Sequence, residues 1–296
     1  PPIQKMVEYA NLARKSLRTN TTTHIAVYDE RVYTQLIRAG KIEQSMKNAM
    51  AQHEFKAFIQ PKYNLETGQI VGAEALVRWI REDGSMIYPD DFIPIFEKNG
   101  FIVELDFFIL GEVCRMIQRR LQGKRHCVPI SINQSRVLLQ EKDYVKRVAD
   151  ILKKYDTPPR YIELELTERI FRDDLTDLAK MMGELRNLGI RWSIDDFGTG
   201  YSNYGYMRDK IFDIVKVDRS FITDIDKQRN NYLMVSFIIK MAHEMGLHVC
   251  IEGVETKEEL ACVRELGADY IQGYYYGKPV CVADFEEQHL KKLILG

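Results

Sequence analysis

No apolar run in this 296-residue sequence approaches the roughly 18 consecutive residues of a membrane-spanning helix. No leader of basic, apolar and small residues opens it either. Membrane contact is therefore not expected from this segment, although upstream regions of a full-length protein could carry an anchor. The five cysteines (Cys114, Cys127, Cys250, Cys262 and Cys281) are scattered and form no C-x-x-C pair. Their pattern argues against a zinc site or a disulfide framework and fits a reducing cytoplasm. Neither charge sign is in excess: 42 Lys and Arg stand against 43 Asp and Glu, a formal net charge of −1. Without a basic field a nucleic-acid polymer is not an expected partner, but one metal or lysine can still make a single pocket attractive to a small anion. A glycine-rich phosphate loop after an early strand is also missing, which argues against an open doubly wound sheet.

What is present suits a globular protein with a sizeable core, at 45% hydrophobic and 29% charged residues. Residues 1–33 stand apart: Lys5 to Leu17 is helix-like, Thr19 to Thr23 is a polar loop, and His24 to Tyr28 is a short strand. One helix and one strand cannot bury a core, so this stretch reads as the tail of an upstream domain, and Pro1-Pro2 as a cut point. Leu36, Ile37, Ile42, Met46, Ala49 and Met50 recur at near-helical spacing, which predicts a connecting helix over 34–52.

From Glu54 onward β-rich runs fall at 55–63, 70–79, 128–134, 161–167, 191–196, 213–218, 248–253 and 270–276. Helical stretches such as 106–122, 144–155, 174–188, 229–245 and 257–266 separate most of them. The first two runs are joined only by a turn around Leu65-Glu66-Thr67-Gly68, so the first strand is expected to pair antiparallel with the second. The remaining βα alternation implies parallel strands with right-handed crossovers. The fold class is thus α/β, a (βα)8 TIM-type barrel modified by an antiparallel first strand, over residues 53–296.

Strand parity then exposes an anomaly. Ile162, Leu164 and Leu166 share one face of their strand and Glu163, Glu165 and Thr167 the other. The apolar face must meet helices, so the glutamates point into the barrel. The same reading turns Glu74, Asn133, Asp195, Lys216, Glu252 and Gln272 inward, mostly near strand C-termini, where barrel active sites lie. Carboxylates gathered in a low-dielectric site repel one another unless cations neutralise them, and hard oxygen donors suit Mg²⁺ or Mn²⁺. The competing reading is a structural ion-pair network, which should be closer to balance than acids that outnumber Lys216 and Arg78.

Three motifs carry the chemistry. Asp195-Asp196-Phe197-Gly198-Thr199-Gly200-Tyr201 sets adjacent carboxylates at a strand end, which suits two metal ions about 3.5–4 Å apart. Lys216 is a cation facing an acidic cavity, able to orient a nucleophilic water and offset phosphoryl charge, or simply to pair with an acid. Glu252 can ligate a metal or accept a proton, while Glu255 is either functional or the cap of the helix near Lys257. His243 and His248 read as surface or helix-end residues, and Tyr274-Tyr275-Tyr276 as core aromatics that could alternatively stack a base.

The string Glu74-Ala75-Leu76-Val77-Arg78-Trp79 resembles the signature of the EAL-domain family. So do Gln60-Pro61, Asn133, Glu165-Leu166-Thr167-Glu168, the 195–201 loop, Lys216-Val217-Asp218, Glu252-Gly253-Val254-Glu255 and Gln272-Gly273-Tyr274. The order agrees over residues 40–294. The resemblance implies a cyclic-di-GMP phosphodiesterase that forms linear pGpG with Mg²⁺ or Mn²⁺, two ions in all. It implies Glu74, Asn133, Glu165 and Asp195 as ligands of one ion, and Asp195, Asp196 and Glu252 as ligands of the other. Lys216 would hold the attacking water, with Glu252 also a candidate general base. Glu168 would brace the 196–201 loop, a part associated with homodimer contacts, while Gln60, Leu76, Arg78 and Gln272 would line the nucleotide pocket or support the metals. Phe96 and Asn203 stand where smaller residues are common, and Lys210-Ile211 where Leu-Pro is common, without touching an implied ligand. Residues 1–33 resemble the end of a GGDEF domain but contain no Gly-Gly-Asp-Glu-Phe string, so no cyclase activity is expected. A catalytically silent cyclic-di-GMP receptor and a hydrolase for another phosphodiester are the rival functions.

Overall fold

Short runs of β-branched and aliphatic residues alternating with amphipathic helices build the order that the sequence predicts. The computed structural model describes residues 30–172, 176–199 and 211–291, with several positions between 3 and 13. The helix, loop and strand expected over 5–28 fall almost wholly outside the described residues, as do Gly200, Tyr201, Asn203 and Lys210. In chain order the first elements are α1 (Glu30–Ala51), β1 (Phe55–Asn64), β2 (Ile70–Ile80), β3 (Met86–Ile87), α2 (Pro89–Asn99), α3 (Ile102–Gln122) and β4 (Ile130–Asn133). There follow α4 (Tyr144–Lys154), β5 (Ile162–Thr167), α5 (Thr176–Asn187), β6 (Arg191–Phe197), β7 (Ile214–Val217) and α6 (Arg229–Glu244). The chain ends with β8 (His248–Glu252), α7 (Lys257–Glu265), β9 (Tyr270–Gln272), β10 (Val280–Cys281) and α8 (Val282–His289).

Two compact units divide the chain, one of residues 1–55 and 79–99, the other of residues 56–78 and 100–296. In the first, an aromatic cluster forms the core. The Phe55 ring lies 4.9 Å from Trp79, 5.8 Å from Phe92 and 5.9 Å from Phe96, centroid to centroid. The buried Trp79 indole donates to Glu54 Oε2 at 2.7 Å, so its one polar atom is satisfied. Phe96 has no exposed surface and fills this cluster, which accounts for a large residue at that position.

In the second unit the strands close on themselves. The hydrogen-bonded order is β1-β9-β8-β7-β6-β5-β4-β2, and β2 pairs back onto β1 to give an eight-stranded barrel. Neighbours from β2 through β4 to β9 are parallel, while β1 runs antiparallel to β9 with Tyr63 opposite Ile271. The β1–β2 turn is made by Asn64, whose side-chain oxygen accepts from the Thr67 amide at 2.7 Å, and by Gly68 at φ 65°. Such an Asx turn followed by a left-handed glycine reverses the chain too tightly for a helical crossover. Ile162, Leu164, Leu166, Val215, Val217, Val249 and Ile251 have no exposed surface. Each buried aliphatic side chain contributes about 1.5–3 kcal/mol, which ties the strands to their helices. Among the described residues no helix is long and apolar enough to cross a membrane. One expectation needs correction: the last barrel strand stops at Gln272, and Tyr274 and Tyr275 are 51% and 42% exposed rather than core.

Candidate active site

The inward residues meet in two layers, as the two-residue period of neighbouring strands requires. The upper layer centres on Lys216, which has no exposed surface. Its Nζ lies 2.6 Å from Glu165 Oε2, 2.7 Å from Glu252 Oε1, 3.1 Å from Asp195 Oδ1 and 3.2 Å from Glu74 Oε2. Asn133 Nδ2 donates to Glu74 Oε1 at 2.7 Å, and Gln272 Nε2 donates to Glu74 Oε2 at 2.6 Å and to Gln60 Oε1 at 3.0 Å. Seven strands and β1 thus deliver Glu74, Asn133, Glu165, Asp195, Lys216, Glu252, Gln272 and Gln60 to one cluster.

The lower layer holds a cation that the motifs do not mark. Lys62 is 4% exposed, and its Nζ donates to Ser131 Oγ at 2.8 Å, Glu163 Oε1 at 3.1 Å and Glu165 Oε1 at 2.8 Å. Parity could have found it, since Lys62 follows Gln60 by two positions and shares its face. The Arg78 guanidinium donates to the Val77 carbonyl at 2.8 Å and lies over the Phe58 ring at 5.9 Å. Leu76 is only half-buried beside it.

Asp195 and Asp196 face a local break in the ladder. The register between β6 and β7 shifts between Ile194 and Phe197, and Asp196 adopts φ 54°. A bulge re-aims side chains that regular alternation would send apart, and aspartate tolerates the left-handed region better than most residues. Just beyond, Gly198 at φ 93° donates its amide to Glu168 Oε2 at 2.9 Å. Across the mouth, a Cβ on Gly273 would sit 2.1 Å from the Val254 carbonyl oxygen. Only glycine lets the segments after β8 and β9 approach this closely.

Charge in the two layers is unequal. Burial pushes Asp195 well above the usual carboxylate range against the pull of Lys216, and Glu252, Glu165 and Glu74 push it further. Burial likewise raises Glu252 to about 7, with Lys216 opposing and Glu74 adding to the shift. Burial would raise Glu165 too, yet Lys216 and Lys62 outweigh it and hold this carboxyl down at about 2. For Lys216 burial works against the charged form, but Asp195, Glu165, Glu252 and Glu74 together raise its pKa well above that of a free lysine. Asp196 is raised by partial burial and then by Asp218. In all, five carboxylates (Glu74, Glu163, Glu165, Asp195 and Glu252) face two ammonium groups, with the Arg191 guanidinium 3.6 Å from Glu163.

That surplus, all oxygen donors, fits a hard divalent cation. Oxygens of Glu74, Glu165 and Asp195 lie within 4.8 Å of one another, the one such carboxylate group among the described residues. Asp196 and Glu252 stand outside that triad. Other marked residues do different work. Thr256 rather than Glu255 caps α7, in a reciprocal capping box with Glu259. His243 and His248 both meet Asp269, at 2.9 and 3.4 Å, away from the mouth residues.

Comparison with known proteins agrees with this geometry. The EAL domain family model matches residues 43–279. The chain is 34% identical over 245 residues to the signaling protein YkoW of Bacillus subtilis, covering 83% of this chain and 30% of that protein. It is 30% identical over 284 residues to the cyclic di-GMP phosphodiesterase NbdA of Pseudomonas aeruginosa, covering 96% of this chain and 36% of that protein. The chain therefore spans about a third of the length of these relatives. A solved structure described as PaMucR phosphodiesterase in complex with c-di-GMP superposes with a TM-score of 0.79 at 29% identity, over 83% of this chain and 99% of that one. The family match spans every strand that supplies the mouth, and the chain belongs to the EAL domain family.

Proposed function

We propose that residues 53–296 hydrolyse one phosphodiester bond of cyclic-di-GMP to give linear 5'-pGpG. The observation that carries this reading is the excess of four carboxylates over the single lysine they surround at the barrel mouth. Its family membership supports it, as do a relative named as a cyclic di-GMP phosphodiesterase and a similar structure in complex with c-di-GMP. Glu74, Asn133, Glu165 and Asp195 would hold one Mg²⁺ or Mn²⁺ ion, and Asp195, Asp196 and Glu252 a second. When bound, such ions supply Lewis acidity at the phosphoryl oxygens and a more acidic water.

The chain's own groups do the rest. Lys216 donates a hydrogen bond to the attacking water and offsets charge gathering on the phosphoryl oxygens. Glu252 accepts the proton that the water loses. The water oxygen bonds to phosphorus as the P–O3' bond breaks, which leaves the phosphate on the 5' side, and the departing 3' oxygen is protonated from solvent. Gln60, Leu76, Arg78 and Gln272 line the nucleotide pocket, and Glu168 keeps the loop after Asp196 in place. The active unit on this reading is a homodimer, and residues 1–33 belong to a GGDEF-like domain upstream, joined through the helix over 34–52.

Incubating the protein with cyclic-di-GMP and Mg²⁺ or Mn²⁺ should yield pGpG by chromatography. No product across a series of metals overturns hydrolysis, and tight binding in EDTA without later turnover would make the chain a silent receptor. Equal rates on unrelated phosphodiesters would overturn the choice of substrate.

A further inference from the structure

Glu165 is held by two lysines from opposite ends. Lys216 takes Oε2 at 2.6 Å within the mouth, and Lys62 takes Oε1 at 2.8 Å from the layer below. The other partners of Lys62 fix the direction of that pull. Ser131 and Glu163 each lie two residues before a mouth residue on the same strand, Asn133 and Glu165, so they sit about 6.6 Å back along their strands, deeper in the barrel. Oε1 is therefore turned to the floor by Lys62, and Oε2 is the oxygen that meets the Lys216 ammonium together with Glu74 Oε2 and Asp195 Oδ1.

We propose that Lys62 is a positioning residue that confines Glu165 to a single metal-facing oxygen and so biases the mouth towards Mg²⁺ or Mn²⁺ over Ca²⁺. The inference rests on the metal reading given above. A small octahedral ion takes one oxygen from each carboxylate, whereas Ca²⁺ has six to eight ligands and favours bidentate carboxylates. Turning Oε1 to the floor removes the bidentate mode from the most buried carboxylate of the set.

The floor charge must be kept separate from the geometry. Replacing Lys62 alone would leave Glu163 without its closest cation, so the principal variant is Lys62→Met with Glu163→Gln, which removes one charge of each sign. Any remaining change in field acts alike on Mg²⁺ and Ca²⁺, both divalent, and cancels in the ratio of their affinities. That ratio is read by displacing Mn²⁺ from the protein and following free Mn²⁺ by its electron paramagnetic resonance signal. The double variant should shift the ratio towards Ca²⁺ by at least about tenfold, the usual scale for a group that orients a ligand. Glu163→Gln alone, which leaves Lys62 on Glu165, should keep the wild-type ratio. An unchanged ratio in a double variant that melts cooperatively and binds Mn²⁺ overturns the inference alone. Failure of the wild-type protein to bind Mn²⁺ overturns the metal reading and this inference with it.

Discussion

The mouth and the floor of this barrel are built from the same kinds of residue, yet their charges close differently. On the floor, Lys62 faces Glu163 and shares Glu165, Ser131 supplies a neutral acceptor, and Arg191 approaches Glu163 at 3.6 Å. Cations there roughly match anions, as a structural network demands. In the mouth one ammonium serves Glu74, Glu165, Asp195 and Glu252, and the share of Lys62 that reaches Glu165 from below still leaves the acids in surplus. The layers stand two residues apart on shared strands, and the mouth is the more open of the two, with Asn133 exposed while Ser131 and Glu163 are buried. Charge balance sets them further apart, with the unmatched carboxylates in the mouth.

The largest effect should come from breaking the mouth. In Lys216→Met the four surrounding carboxylates lose their only shared cation. Stability without metal should fall by about 3–5 kcal/mol, the range for removing one member of a buried ionic cluster. Turnover should fall by about 10²–10⁴-fold, since the group that aligns the water is gone. Thermal melts in EDTA and then in Mn²⁺ read the first quantity: Mn²⁺ should stabilise this variant more than the wild type, because the metal becomes the sole neutralising charge. A melt in EDTA equal to that of the wild type would show that the mouth is balanced in some other way.

Next in size is Glu74→Ala, which removes the acceptor of Asn133 and Gln272 as well as one of the three clustered carboxylates. We expect Mn²⁺ affinity and turnover to fall by at least about 100-fold, beyond the usual loss from an outer-shell change. The fold should survive, because the negative surplus is reduced. Isothermal titration with Mn²⁺ checks it, and wild-type affinity would remove Glu74 from the site. A smaller effect is expected for Glu168→Gln, which weakens the charge-assisted bond to the Gly198 amide. Such bonds contribute about 1.5–3 kcal/mol, but the loop is local, so turnover should drop about tenfold with little change in the melting midpoint.

How much of this contrast is legible in the sequence follows from which interactions are local. A strand's period of two is local, and it correctly turns Glu74, Asn133, Glu165, Asp195, Lys216, Glu252 and Gln272 inward from their apolar neighbours alone. Lys62 obeys the same period, but its partners Ser131, Glu163 and Glu165 lie on other strands far along the chain, so nothing next to it announces an ion pair. The bulge at Asp196 is a mismatch with β7, a property of two strands, and neither strand read alone contains it. The bond from Arg78 to the Val77 carbonyl depends on its rotamer, which composition does not contain. The exposure of Tyr274 and Tyr275 depends on where β9 leaves the sheet, which its pairing with β1 decides.

The smallest expected effect tests whether mouth and scaffold are separable at all. Thr256 lies four residues after Glu252, and its hydroxyl accepts from the Glu259 amide at 3.1 Å while Glu259 Oε2 accepts from the Thr256 amide at 3.0 Å. These bonds satisfy amides that the first turn of α7 would otherwise leave unpaired. Thr256→Ala removes one of them and should cost about 1 kcal/mol, seen as a lower midpoint in urea with an unchanged slope. Because the helix start touches no carboxylate of the mouth, Mn²⁺ affinity and turnover should stay at wild-type values. A fall in Mn²⁺ affinity at this modest loss of stability would mean that the α7 cap helps to set the position of Glu252, and the mouth would then extend into the scaffold rather than end at the strand tips.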